Sequence, residues 1–147
     1  MPTIHFTVTT TSTPDQFVAG LTDFGPGRQQ LFANSADSSL VVNDQGPSYA
    51  DVTEGSVGIW ERLHYDWSDP AHVVLTTTDS NVFGGRSGHT YTLTRRTDGR
   101  TEVDVVVVRE GKNLRGRLLS SLLGTVGTGF LKRRFEGTVR AIEARGG

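Results

Sequence analysis

No cysteine occurs anywhere in the 147 residues, which excludes disulfide staples, thiolate nucleophiles and cysteine-ligated zinc. Charge of one sign is lacking as well. Fifteen Lys and Arg stand against 16 Asp and Glu, a formal net charge of −1 with both signs mixed along the chain. That balance offers no nucleic-acid footprint and no polybasic membrane anchor. Long apolar runs are missing too: even Leu118–Leu123 is interrupted by Ser120-Ser121, so no segment reads as membrane-spanning. The opening MPTIHFTVTTT has neither the basic start nor the apolar stretch of a signal peptide. The expectation is one cytoplasmic domain over residues 1–147, with a single sizeable core, no nucleic-acid partner and no integral membrane contact.

Familiar catalytic signatures are also absent. Gly85-Arg86-Ser87-Gly88 is followed by His89 where a nucleophile elbow needs its second glycine. No P-loop, dinucleotide fingerprint or HExxH occurs, so no cofactor and no metal is expected. His64, Asp66 and His72 fall on one outward strand face, but without the supporting shell that a metal site needs.

What the chain does contain is one long helical segment after a run of strands. From Asn113 to Arg145, Leu118, Leu119, Leu122, Leu123 and Val126 recur at helical spacing, and Phe130, Leu131, Phe135, Val139 and Ile142 continue it. Asn113 is the expected N-cap, and Arg145 before Gly146-Gly147 the expected stop. Gly124, Gly127 and Gly129 crowd the middle. The apolar stripes before and after them differ by a third to a half of a turn, so a straight helix cannot aim both at one sheet. A kink, two successive helices, or a bend over a space holding something other than protein would each reconcile them. Lys132-Arg133-Arg134 reads as a solvated helix face.

The rest is β-rich. Thr3–Thr11 alternates Ile4, Phe6 and Val8 with His5, Thr7 and Thr9, a half-buried strand. Ser12-Thr13-Pro14-Asp15 opens a short helix carrying Phe17, Val18 and Leu21, and a second short helix is expected over residues 28–33. Strands then follow at 39–44, 49–53, 57–67, 72–78, 89–96 and 101–109. Their turns are marked by Gln45-Gly46-Pro47, Ser68-Asp69-Pro70 and Asp98-Gly99. The glycine-rich loop from Asn81 to Gly88 is either a plain turn or a gate, with Phe83 capping a cavity.

Alternation assigns the faces. Val57, Ile59, Glu61, Leu63, Tyr65 and Trp67 point one way and Gly58, Trp60, Arg62, His64 and Asp66 the other. His89, Tyr91 and Leu93 point inward, as do Val103, Val105 and Val107, with Arg109 at the end of that strand. A face with Glu61, Tyr65, His89 and Tyr91 among aliphatics is no dry core. Glu61 must pair with Arg95 or Arg109, be protonated, or be solvated in a cavity. The apolar and aromatic neighbours on its own strand point to the uncompensated carboxyl, and a bulge would turn it outward.

This order of elements, with the Thr13-Pro14-Asp15 helix opening, the Glu54-Gly55-Ser56-Val57-Gly58 approach to the long strand and the closing Val139-Arg140-Ala141-Ile142-Glu143-Ala144, resembles the START-like (SRPBCC) superfamily. The resemblance spans nearly the whole chain. It implies an α+β helix-grip fold: a curved antiparallel sheet of about seven strands, two short helices and a long C-terminal helix over a hydrophobic cavity. It also implies carriage of a small hydrophobic ligand such as a lipid or polyketide. Glu61, Tyr65, His89 and Tyr91 would hold the ligand's polar end, and Leu63, Val105, Val107, Val126 and Phe130 its apolar body, with Trp67 a further expected ligand contact. The rival reading is a cyclase or dehydrase using Glu61 or His89 as general acid/base. Monomer and homodimer both remain open.

Overall fold

The computed structural model describes residues 3–32, 40–56 and 58–146. The expected strand, β1 (Thr3–Thr10), buries Ile4, Phe6 and Val8 on one face. Thr13 then caps α1 (Pro14–Leu21). Its hydroxyl accepts from the Gln16 amide, the Gln16 side chain accepts from the Thr13 amide, and Pro14 occupies the position where a missing N–H costs nothing. The second helix, α2 (Arg28–Leu31), is a single turn; the expected end at Ala33 lies outside the described residues.

Six strands follow: β2 (Val41–Gln45), β3 (Tyr49–Ser56), β4 (Ile59–Asp66), β5 (His72–Ser80), β6 (Gly88–Arg95) and β7 (Thr101–Val108). They form one antiparallel sheet in the order β1-β7-β6-β5-β4-β3-β2, so the first and last strands of the chain pair and consecutive strands pair elsewhere. Strands β3 and β5 run further than expected, to Ser56 and Ser80, and β4 is shorter. Ser39 and Val57, expected in strands, lie outside the described residues. A bulge does occur, but in β5: Arg62 pairs with Asp79 and Leu63 with Thr77. The extra residue, Thr78, therefore leaves the inward set of β4 undisturbed, and Glu61 stays buried with Leu63 and Tyr65.

The closing helix, α3 (Leu114–Gly146), is continuous, so the two-helix alternative does not hold. Asn113 caps it, its side-chain oxygen accepting from the Gly116 amide at 2.8 Å. The mismatch of apolar stripes is resolved without re-aiming the first one. Phe135, Val139 and Ile142 enter the core, whereas Leu118, Leu122 and Val126 are exposed. Over the first half, the buried positions are instead the small residues Gly116, Ser120 and Gly127. They let the helix lie close: a Cβ on Gly127 would sit 3.2 Å from the Ile4 side chain. One on Gly116 would sit 1.8 Å from the carbonyl oxygen of Val82, a backbone atom that cannot swing away. Gly116→Ala is therefore expected to lower stability by about 1–3 kcal/mol, as overpacking does. Denaturant unfolding measures this, and an unchanged midpoint would show that the helix start is not seated on Val82.

The C-terminal half of α3 is tied down by polar contacts. Thr138 donates to the Leu31 carbonyl at 2.6 Å, and the Glu143 carboxylate accepts from the Thr10 hydroxyl and the Thr11 amide. Arg145 pairs with Asp23. No helix among the described residues is long and apolar enough to cross a membrane.

Candidate functional site

Between the sheet and α3 lies a cavity of about 500 Å³. Glu61, Leu63 and Tyr65 line it from β4, His89 and Tyr91 from β6, and Leu75 from β5. Arg28 and Phe32 close it beside α2, and Arg134 reaches it from α3.

Its polar wall consists of two clusters built around buried arginines. In the first, Arg28 donates from Nε to Glu54 Oε1 at 2.7 Å and from Nη2 to the Tyr65 hydroxyl at 2.9 Å. Its Nη1 donates to the carbonyls of Leu21 and Asp23. The Tyr65 hydroxyl in turn donates to Glu54 Oε2. Phe24 and Phe32 lie 4.6 and 4.5 Å from the guanidinium carbon, an aromatic lining that suits a weakly hydrated cation. Burial pulls the pKa of Arg28 down, but the Tyr65 and Glu54 oxygens outweigh it and hold it above its ordinary value. Burial, and then the Glu54 carboxylate, push the Tyr65 phenol well up, so Tyr65 is a neutral donor.

In the second cluster, Glu61 Oε2 accepts from Arg109 Nη1 at 3.0 Å and from the Thr77 hydroxyl at 2.9 Å. Of the alternatives for Glu61, pairing with Arg109 is what the structure contains, and the uncompensated carboxyl is corrected. The strand neighbours misled because the partner comes from the end of β7, with β5 and β6 lying between it and β4 in the sheet. The same guanidinium holds His89, with Nη2 2.7 Å from His89 Nε2. An arginine can only donate, so Nε2 accepts and the imidazole proton sits on Nδ1. Burial, reinforced by the Arg109 charge, drives the His89 pKa well below its ordinary value, which keeps this ring neutral. Nδ1 lies 3.2 Å from the Tyr91 hydroxyl, which must then be the acceptor. Burial pushes the Tyr91 phenol up, so Tyr91 keeps its own hydrogen. Among the described residues that hydrogen has no acceptor.

The register joins the two clusters: Glu54 and Glu61 are direct partners across the β3–β4 ladder. Like charges placed opposite each other destabilise a sheet, and here each carboxylate has its own buried arginine.

Of the expected ligand-contacting residues, Glu61, Leu63, Tyr65, His89 and Tyr91 line the cavity. Val105 and Val107 are buried in the core on β7, and Trp67, just past β4, packs against that core instead. Val126 and Phe130 correct the expectation more sharply, because both are exposed on α3. Phe130 meets only the cavity's margin, its ring 5.4 Å from the guanidinium of the cavity-lining Arg134. Arg134, read as part of a solvated face, thus has a second role. Phe83 does not cap the cavity: it is buried under Arg109, bridges to Gly111 and is not among the cavity's lining residues. On the outer face His64 stacks on Tyr49, Asp66 accepts from Ser68 and His72 meets Thr92, so the three do not converge. No group of three or more potential metal ligands is gathered among the described residues.

Arg28 and Glu54 were missed as site residues. Glu54 carried a signal, since Ala50, Val52 and Glu54 share one parity and all are buried. Arg28 carried none: an arginine on a one-turn helix after Gly27 reads as solvated.

No family model matches the chain, and no curated protein matches it significantly. Solved structures do. A protein from Thermus thermophilus superposes with a TM-score of 0.75 at 14% identity, covering 99% of this chain and 100% of that one. The Zhui aromatase/cyclase from a Streptomyces species gives 0.74 at 13% identity, over 97% of this chain and 94% of its own. A START superfamily protein from Mycobacterium smegmatis gives 0.68 at 12%, over 98% and 96%. At such identities the likeness is one of fold, and it agrees with the sheet order and the long closing helix: the chain has the helix-grip fold of START-like (SRPBCC) proteins.

Proposed function

We propose that this protein binds a small, largely apolar ligand in the cavity, held at one point by a hydrogen bond donated from the Tyr91 hydroxyl. The observation that carries this reading is the direction of the proton chain. Arg109 donates to His89 and His89 donates to Tyr91, so the phenol is left with a hydrogen and no acceptor among the described residues. A buried donor without a partner is costly, and a ligand carbonyl or ether oxygen would satisfy it. Elsewhere the wall offers apolar and aromatic surface from Leu63, Leu75, Phe32 and Tyr65, the usual make-up of a small-molecule site. The Arg28 cluster engages every nitrogen of its guanidinium and shapes the cavity.

Cyclase or dehydrase chemistry with Glu61 or His89 as the base is the rival, and the same geometry weighs against it. Both ring nitrogens of His89 are engaged, one by Arg109 and one by its own proton, so no lone pair is free to take a proton from carbon. Glu61 is committed to Arg109 and Thr77.

Two compounds that differ in a carbonyl in place of a methylene test the reading: 2-acetylnaphthalene and 2-ethylnaphthalene, each competed against a fluorescent naphthalene-sulfonate dye. The ketone is expected to bind about tenfold more tightly, the value of one buried hydrogen bond. Tyr91→Phe should abolish that difference while leaving the ethyl compound's affinity unchanged. Displacement by neither compound, or an equal ketone preference in the variant, would overturn the proposal.

A further inference from the structure

The exposed stripe of α3 has a regularity that the cavity does not explain. Leu114, Leu118, Leu122, Val126 and Phe130 recur every four residues, and they are 74%, 65%, 58%, 62% and 46% exposed. They run along about 24 Å of helix. A contiguous apolar strip left in water marks an interaction surface. Charge says what kind. Between Gly111 and Phe135 the chain carries Lys112, Arg115, Arg117, Lys132, Arg133 and Arg134 and not one Asp or Glu, although acidic residues outnumber basic ones overall. Lys112 is engaged by Asp79, and Arg134 lies over Phe130. Arg115, Arg117, Lys132 and Arg133 are exposed, with no ion-pair partner among the described residues. Arg115 lies three and seven residues before Leu118 and Leu122, and Arg133 three and seven after Phe130 and Val126, so both share the face of the stripe.

We infer that this face of α3 docks on an anionic lipid surface, with the apolar stripe entering the headgroup boundary and the arginines at its two ends meeting phosphate groups. An amphipathic helix with leucine, valine and phenylalanine on one side and arginines beside them is the arrangement that lies in a membrane interface. A second copy of this chain is the less suitable occupant, since it would bring two unpaired basic clusters together. The near-zero net charge conceals the surface: positive charge gathers between Gly111 and Phe135, while the acidic residues lie outside that segment. The cavity adjoins it through Arg134, so a docked molecule would hold its cavity margin near the lipid.

Co-sedimentation with vesicles tests this, using phosphatidylglycerol mixed with phosphatidylcholine and phosphatidylcholine alone, at low and physiological salt. The full chain is expected to partition onto the anionic vesicles, less so as salt rises, and weakly onto neutral ones. Arg115→Glu with Arg133→Glu should lower the partition coefficient about tenfold, and Leu118→Ser with Leu122→Ser should also lower it. All four side chains are exposed, so the thermal melts should match wild type; if a pair fails to fold, the single variant Arg133→Glu and the wild-type salt series carry the test. Absence of partitioning, equal partitioning onto neutral vesicles, or no effect of either pair would overturn the inference. So would a wild-type dimer that the serine pair converts to monomer without altering vesicle binding, which assigns the stripe to a second copy. The assay reads no cavity occupancy and the naphthalene competition reads no lipid, so either proposal can fail alone.

Discussion

Arg28→Met is expected to cost about 3–5 kcal/mol of stability, the scale observed when one partner of a buried ion pair is removed. The methionine fills much of the space and keeps contact with Phe24 and Phe32. What it cannot do is neutralise Glu54, which remains buried directly across the ladder from Glu61. The carbonyls of Leu21 and Asp23 also lose their donor. Denaturant unfolding at neutral pH measures the loss. Replacing Glu54 by leucine in the same chain should recover most of it, because an apolar pair of similar volume is often as stable as a buried salt bridge. A loss under about 1 kcal/mol for the single variant would mean that the cluster is open to water and that the cavity wall is softer than described.

Glu61→Gln should cost about 3 kcal/mol, the low end of the same range, since glutamine retains an acceptor for Thr77 and Arg109 but leaves the guanidinium buried without a counter-charge. It should also disturb binding. Arg109 fixes the His89 tautomer, and His89 fixes the direction of the Tyr91 hydroxyl. With Arg109 held only by a neutral acceptor, the advantage of the acetyl over the ethyl naphthalene should shrink even in molecules that remain folded. A variant as stable as wild type, with its ketone preference intact, would separate Glu61 from both roles.

The fold was legible because its cues are local. The Ser12-Thr13-Pro14-Asp15 helix opening, the Asp98-Gly99 turn and the alternation of Val103, Val105 and Val107 each depend on residues close in sequence, and each is present as read. The cavity's inward face was legible from β4 and β6 for the same reason. What sequence could not supply was pairing between distant elements. Arg109 was seen at a strand end and named among the possible partners of Glu61, yet only the sheet order shows that it arrives. Arg28 comes from a one-turn helix and reaches Glu54, 26 residues away. The stripe on α3 misled for a different reason. Helical periodicity identifies an apolar side but not what it meets, and the fully buried positions in the first half of α3 are Gly116, Ser120 and Gly127, which hydrophobicity does not mark.

The pairing of two glutamates with two arginines also sets which ionisation state of a guest the cavity admits. In its buried part Glu54, Glu61 and Arg28 line the wall and Arg109 stands behind Glu61, so these buried charges balance. A carboxylate or ammonium carried past Arg134 at the exposed margin into the buried part would find both counter-charges there already engaged and would lose its hydration without compensation. A neutral guest meets no such penalty. For a weak acid, the protonated form alone is suited to enter, so its apparent affinity would fall as pH rises through the pKa of the guest itself, with the protein unchanged.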